Sequence, residues 1–238
     1  MKTGLFPVVI LAGGLATRLR PMTETIPKSL VDVNGEAFIV HQLRLLQRKG
    51  IRDIVLCVGY LGEQIVDVIG DGSQYGVKIV YSFDGSQLLG TAGAIKQAMP
   101  LLQDNFFVLY GDSYLSCDYQ GVQDAFIAGQ KLGLMTVFRN LGQWDSSNVE
   151  FTNGQVVVYD KKNKTERMQY IDYGLGLFNK RAFDQVPNGE PYDLATLYQK
   201  LLAEQQLSAF EVTERFYEAG SFAGIKELGY YLSSCKSV

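Results

Sequence analysis

Apolar positions along the chain switch repeatedly between two periods. Phe6 to Ala12 is a nearly unbroken apolar run of strand length, whereas Ile39, Leu43 and Leu46 recur at helical spacing within Ala37 to Lys49. Arg48 and Lys49 followed by Gly50 supply that helix with a stop. Further strands are predicted at Ile54 to Val58, Val77 to Phe83 and Phe106 to Leu109, and helices at Glu63 to Ile69 and Thr91 to Met99, the second ended near Pro100. A short strand, Leu30 to Val33, closes on the turn pair Asn34-Gly35. Strands alternating with helices predict βαβ crossovers and a largely parallel sheet.

The second half is richer in strands. Leu134 to Phe138, Val149 to Phe151, Val156 to Asp160 and Tyr170 to Phe178 read as strands, with Asn153-Gly154 as a hairpin turn. Tyr192 to Gln205 and Phe222 to Leu232 read as helices. No internal repeat, low-complexity tract or Pro/Ser-rich linker interrupts the pattern. It predicts one α/β domain, 1–238, with a mixed, mostly parallel central sheet.

Composition narrows the partners. With 238 residues, 47% of them apolar, the chain can bury a sizeable core. A net charge of −3 argues against a nucleic-acid groove, and no apolar run reaches the length of a membrane span. The opening apolar stretch leads into Gly13-Gly14 and is expected to be the first strand, not a signal peptide. Cys57, Cys117 and Cys235 are scattered without CxxC spacing, as in a cytoplasmic protein with reduced thiols. His41 has no second His or Cys nearby and is expected on a helix face.

The chemistry is concentrated in Leu11 to Leu30, LAGGLATRLRPMTETIPKSL. Two glycines follow a buried strand, where free N–H groups in a turn form an anion-binding nest. Arg18, Arg20 and Lys28 against the single Glu24 make Ala12 to Leu30 +2 in a protein that is −3 overall. Such a local inversion of charge, stiffened by Pro21 and Pro27, points to a polyphosphate ligand. Neither the P-loop pattern nor the GxGxxG dinucleotide fingerprint is present after this strand. Asp112 follows another buried strand, where α/β sheets gather ligands and where a carboxylate suits Mg²⁺ beside a triphosphate, although a turn cap is the ordinary alternative. Asp172 interrupts an otherwise apolar strand and requires a polar partner there.

From Gly13 to Lys28 the segment resembles the signature GGxGTRLxPxTxxxPK of sugar-1-phosphate nucleotidyltransferases, with Ala16 in place of a glycine. The resemblance runs from Phe6 to about Tyr231. It implies a Rossmann-like three-layer α/β/α fold with a nucleotide-binding half, about 1–115, and a sugar-binding half, about 116–238. It implies that an NTP and a sugar 1-phosphate give an NDP-sugar and pyrophosphate with Mg²⁺ as cofactor. Arg18, Lys28 and Asp112 are then catalytic. Leu11, Ala12, Gly13, Gly14, Thr17, Gly90 and Thr91 join these three in holding the nucleotide. Asn148, Asp160, Lys161 and Asp172 are the implied sugar-phosphate residues, and Asp112 with Glu218 the metal ligands, Glu218 standing where the family has Asp. The family's larger relatives append a β-helix region, which this chain is too short to hold. Within the family the chain looks most similar to bacterial heptose- and mannose-1-phosphate guanylyltransferases that serve surface polysaccharide synthesis. The alternatives are a uridylyltransferase for N-acetylmuramate 1-phosphate, a phosphocholine cytidylyltransferase with Tyr170 and Tyr173 in an aromatic cage, and a non-catalytic sugar-nucleotide sensor. Homo-oligomer formation is left open.

Overall fold

The structure is a computed structural model and describes residues 4–235. In the first half, β1 (Val8–Leu11) leads through three 3-10 turns (Thr17–Leu19, Met22–Glu24, Lys28–Leu30) to a hairpin, β2 (Asp32–Val33) and β3 (Glu36–Ala37). Then follow α1 (Phe38–Lys49), β4 (Asp53–Val58), α2 (Gly62–Ile69), β5 (Lys78–Phe83), α3 (Gly90–Ala98) and β6 (Asn105–Tyr110). The second half contributes β7 (Ser113–Tyr114), α4 (Tyr119–Gly129), β8 (Gly133–Arg139), β9 (Val149–Thr152), β10 (Gln155–Tyr159) and β11 (Tyr170–Asn179). It ends with α5 (Leu194–Ala203), β12 (Leu207–Val212), β13 (Tyr217–Glu218) and α6 (Phe222–Cys235).

Nine strands share one sheet, in the order β10-β9-β11-β6-β1-β4-β5, with β8 also on β11 and β12 on β8. Within it only β10 and β11 run against the others, so the sheet is mixed and mostly parallel. Consecutive residues of β1 feed opposite faces. Val8 and Ile10 pack with α1, α2 and α4 residues such as Leu43, Ile65 and Val122. Val9 packs with Ile95 of α3 and Leu197 of α5. Burial on both faces explains why β1 reads as a continuous apolar run and not as an alternation. A third, smaller cluster joins α6 to the β2–β3 hairpin and to β7.

Local signals act where the sequence places them. Gly50 ends α1 at φ 95°, its N–H bonding back to the last turn. Asn34-Gly35 and Asn153-Gly154 both adopt positive φ, the geometry of tight two-residue hairpins. His41 is buried on α1, with Nε2 2.8 Å from the carbonyl of Val33. Helix α4 and strand β12 were not anticipated. In α4, Gly121 and Gly129 dilute the helical pattern, and the start rests on one cap, Asp118, which accepts from the Gln120 N–H. The helix expected over Tyr192 to Gln205 begins only at Leu194, because Asp193 caps it by accepting from the Ala195 N–H.

The chain leaves β1 for β4 and β5 on one side and returns to β6 on the other. The crevice at the carboxyl ends of β1 and β6 is therefore the topological switch point, where such sheets bind ligands. Gly111 sits there against β1: a Cβ on it would lie 2.3 Å from the Leu11 carbonyl oxygen. Backbone cannot yield cheaply, so Gly111→Ala is expected to lower stability by about 3 kcal/mol. A fall in the urea midpoint measures it; an unchanged midpoint would contradict this packing. Among the described residues, no helix is long and apolar enough to cross a membrane.

Candidate active site

The switch-point crevice opens into a cleft of about 260 Å³, lined by Leu11, Ala12, Gly13, Gly14, Lys28, Gly90, Thr91 and Asp112 among others. The N–H groups of Gly13 and Gly14 have no partner among the described residues, and a Cβ on Gly13 would meet the Gly59 backbone at 3.0 Å. The glycine turn thus presents bare donors, as an anion nest requires. Beyond it, Ala16 holds φ 48°, a left-handed geometry that glycine adopts without strain. The Thr23 hydroxyl donates to the Ala16 carbonyl at 2.8 Å and fixes this turn. Tyr60 and Gln64 donate to the carbonyls of Glu24 and Thr25 and tie the loop to the α2 side.

Two residues expected at the nucleotide behave differently. Thr17 opens a 3-10 turn, is exposed and does not line the cleft. Thr91 lines it, but its hydroxyl donates to Asp193 (3.1 Å) and accepts from the Leu194 N–H (2.7 Å), joining the starts of α3 and α5. Ser29, Tyr110 and Asp84 are among the lining residues that went unread in the sequence. The Ser29 hydroxyl is buried without a partner among the described residues, Tyr110 is half-buried, and Asp84 sits at the cleft wall with Oδ2 accepting from the Leu89 N–H. Burial pushes the Asp84 carboxyl above its ordinary range, partly offset by that bond. Cys57 also lines the cleft, and burial raises its thiol far above the ordinary value, so it is no nucleophile.

At the edge of the cleft, charges converge. Lys28 Nζ lies 2.7 Å from Asp112 Oδ2. The β7–β13 ladder pairs Ser113 with Glu218, and the Ala219 N–H donates to the Asp112 carbonyl, so Glu218 arrives beside Asp112. Gly220 lies at a narrow notch between them. A Cβ there would be 2.7 Å from Glu218 Oε2, 2.8 Å from Asp112 Oδ2 and 3.1 Å from a terminal nitrogen of Arg18. Arg18, Lys28, Asp112 and Glu218 therefore meet at one place. Glu218 also accepts from the Gly220 N–H and, at 2.5 Å, from the Ser221 hydroxyl at the start of α6. Among the described residues, no group of three or more His, Cys, Asp or Glu side chains forms a ready metal cage. Two carboxylates facing one notch suit a cation whose remaining ligands are phosphate oxygens and water.

A second cavity of about 280 Å³ adjoins the cleft, with Tyr110 in the wall of both. Asn148, Lys161 and Asp172 line it. A register shift in β11 between Asp172 and Gly176 bends the strand there. Asp172 is buried but satisfied: it accepts from the Tyr159 hydroxyl (3.0 Å) and the Gly174 N–H (3.1 Å), with Lys161 Nζ at 3.9 Å. The Asn148 side-chain oxygen accepts from the Asp172 N–H. Asp160 is not brought into the cavity. Its carboxylate accepts from the backbone of Asn163 and Lys162, bonds that hold it below the usual carboxylate range. It caps its own turn. Tyr170 and Tyr173 form no cage either: Tyr170 packs on Phe151 and Tyr173 is buried against Phe138 and Phe216. Lys161 itself lies over the rings of Tyr110 and Tyr159.

The chain is similar to known proteins in sequence and in fold. The family described as nucleotidyl transferase matches residues 7–220. An N-acetylmuramate alpha-1-phosphate uridylyltransferase of Neisseria meningitidis serogroup B is 30% identical over 92% of this chain and 95% of its own length. A UTP–glucose-1-phosphate uridylyltransferase of Synechocystis is 31% identical over 82% of this chain, which spans 54% of that enzyme. A Saccharomyces cerevisiae mannose-1-phosphate guanyltransferase is 44% identical over 47% of the chain and 31% of its own length. Among solved structures, HddC of Yersinia pseudotuberculosis complexed with GMP-PN superposes with a TM-score of 0.79, covering 96% of this chain and 100% of that one at 23% identity. The inositol-1-phosphate CTP transferase of T. maritima superposes with a TM-score of 0.77 at 19% identity, covering 98% and 97%; both likenesses concern the fold. The signature loop, the carboxylates gathered around Gly220 and this kinship agree: the chain belongs to the nucleotidyl transferase family, and its relatives are sugar-1-phosphate nucleotidyltransferases.

Proposed function

We propose that this chain joins an NTP to a sugar 1-phosphate, giving an NDP-sugar and pyrophosphate. The observation that carries the reading is the meeting of Arg18, Lys28, Asp112 and Glu218 beside Gly220, next to a cleft that shares the Tyr110 wall with a second cavity. A phosphate oxygen of the sugar attacks the α-phosphorus. The bond from that phosphorus to the oxygen bridging to the β-phosphate breaks, and its electron pair leaves with pyrophosphate. The attacking group is already an anion, so no base is needed, and His41 is buried elsewhere. What must be overcome is repulsion between anions, by positioning and by fixed charge.

Each residue then has a task. The N–H groups of Gly13 and Gly14 hold the nucleotide phosphates. Arg18 offsets the charge of the leaving pyrophosphate. Lys28 swings from Asp112 to the α-phosphate. Lys161 guides the incoming phosphate, and Asn148 and Asp172 orient sugar hydroxyls. Asp112 and Glu218 would hold a divalent cation of the Mg²⁺ type, which when bound supplies charge neutralisation between phosphate oxygens. Free thiols at Cys57 and Cys117 fit a cytoplasmic setting.

For the base, the position of Asp84 favours guanine. Guanine offers two adjacent donors, N1–H and the 2-amino group, to one carboxylate; uracil offers one N–H flanked by acceptors. GTP with mannose 1-phosphate or D-glycero-D-manno-heptose 1-phosphate is therefore the preferred pair. Pyrophosphate release, measured for four NTPs against a panel of sugar 1-phosphates, tests the reading, and no release with any pair would refute it. Asp84→Asn is expected to lower kcat/KM for GTP by about ten- to a hundredfold, and an unchanged value would remove Asp84 from base recognition.

A further inference from the structure

The loop between β8 and β9 forms one side of the second cavity and is organised around a buried side chain. Asn140, 1% exposed, donates to the Asp145 carbonyl (2.5 Å) and the Ser147 hydroxyl (3.2 Å), and its side-chain oxygen accepts from the Trp144 N–H (3.2 Å). These bonds fold 140–147 compactly and place Asp145 and Ser146 in the cavity with Lys161, Lys164 and Asp172. One oxygen of Asp145 accepts from the Ser146 N–H; the other has no protein partner. An acceptor on an exposed residue that lines a cavity together with two lysines suits a ligand with an anionic end and hydroxyls, which a sugar phosphate has.

The outer side of the loop is held from a distant part of the chain. The guanidinium carbon of Arg215 lies 3.4 Å from the centre of the Trp144 ring. The same guanidinium faces the Tyr217 ring at 4.8 Å and pairs with Glu227 at 2.5 Å. Trp144 is 45% exposed, so its ring contributes through this stack more than through core burial.

We propose that Trp144 and Arg215 are a positioning pair that seats loop 140–147 on the cavity, so that Asp145 and Ser146 contact the sugar of the sugar 1-phosphate. The proposal rests on the nucleotidyl-transfer reading above. Trp144 is the protein's single tryptophan, so its emission reports this contact directly. The probes are mannose 1-phosphate and N-acetylmuramate α-1-phosphate, each with GTP and UTP. Wild type is compared with Trp144→Ala and Trp144→Phe by steady-state kinetics, and wild-type emission is followed as each probe is added. In Trp144→Ala, KM for the sugar phosphate is expected to rise about tenfold while KM for the nucleotide stays put. Trp144→Phe, which keeps a ring face for Arg215, is expected to recover most of the loss. Sugar phosphate is expected to change wild-type emission. Active wild type with an unchanged sugar KM in Trp144→Ala, or with constant emission at saturating probe, would overturn the positioning role alone. Wild type inactive with every pair would overturn the nucleotidyl-transfer reading and this proposal with it.

Discussion

Lys28→Ala is expected to lower kcat about a thousandfold while the protein stays folded. Lys28 is partly exposed and, among the described residues, pairs with Asp112 at 2.7 Å, so its removal leaves the core untouched. What is lost is the one mobile cation placed to move from a carboxylate to the α-phosphate. Because that interaction strengthens only as charge builds during transfer, the loss should appear in kcat more than in KM for the nucleotide. Asp112→Asn keeps the shape and removes the charge, and a loss of similar size is expected. Pyrophosphate release together with far-UV circular dichroism checks both. Near-normal turnover in either folded variant would take that residue out of the mechanism.

Gly220→Ala is the second large effect expected, and it separates function from fold. The added methyl would fall against Glu218 Oε2, Asp112 Oδ2 and the tip of Arg18. All three are the far ends of side chains that can swing aside, so the folded state can accommodate it. They cannot swing aside and still face one another. Turnover is expected to fall at least about a hundredfold, with a thermal midpoint close to that of wild type. A variant that unfolds would contradict the claim that only side-chain tips border the notch. A folded variant with full turnover would show that the notch is not used.

How much of this was legible in the sequence depended on how local each signal was. The phosphate loop was readable because strand β1, the glycine turn and Lys28 fall within one short stretch, and a left-handed Ala16 occupies the position where the resemblance implied glycine. Asp112 was readable because a buried strand ends beside it. Glu218 was visible through the resemblance alone, since its approach to Asp112 depends on the β7–β13 pairing, a contact between distant segments. Asp84 and Ser29 carry no local pattern and became visible only when the cleft was formed. Asp160 is adjacent to Lys161 in sequence yet caps its own loop, a placement that adjacency alone does not reveal. Helix α4 was missed because Gly121 weakens its pattern, yet the glycine leaves room for the capping carboxylate of Asp118, since a Cβ there would lie 2.7 Å from Asp118 Oδ2 and 3.3 Å from the Phe210 ring.

The account's central claim is that the glycine turn after β1 and the carboxylates beside Gly220 build one site for a metal-bound triphosphate. Mn²⁺ binding followed by electron paramagnetic resonance tests it, with and without a non-reactive GTP analogue, in wild type and in Asp112→Asn. Tight Mn²⁺ binding only when the nucleotide is present, and lost in Asp112→Asn, is the predicted result. Nucleotide-dependent Mn²⁺ binding that is equally tight in the variant would contradict it.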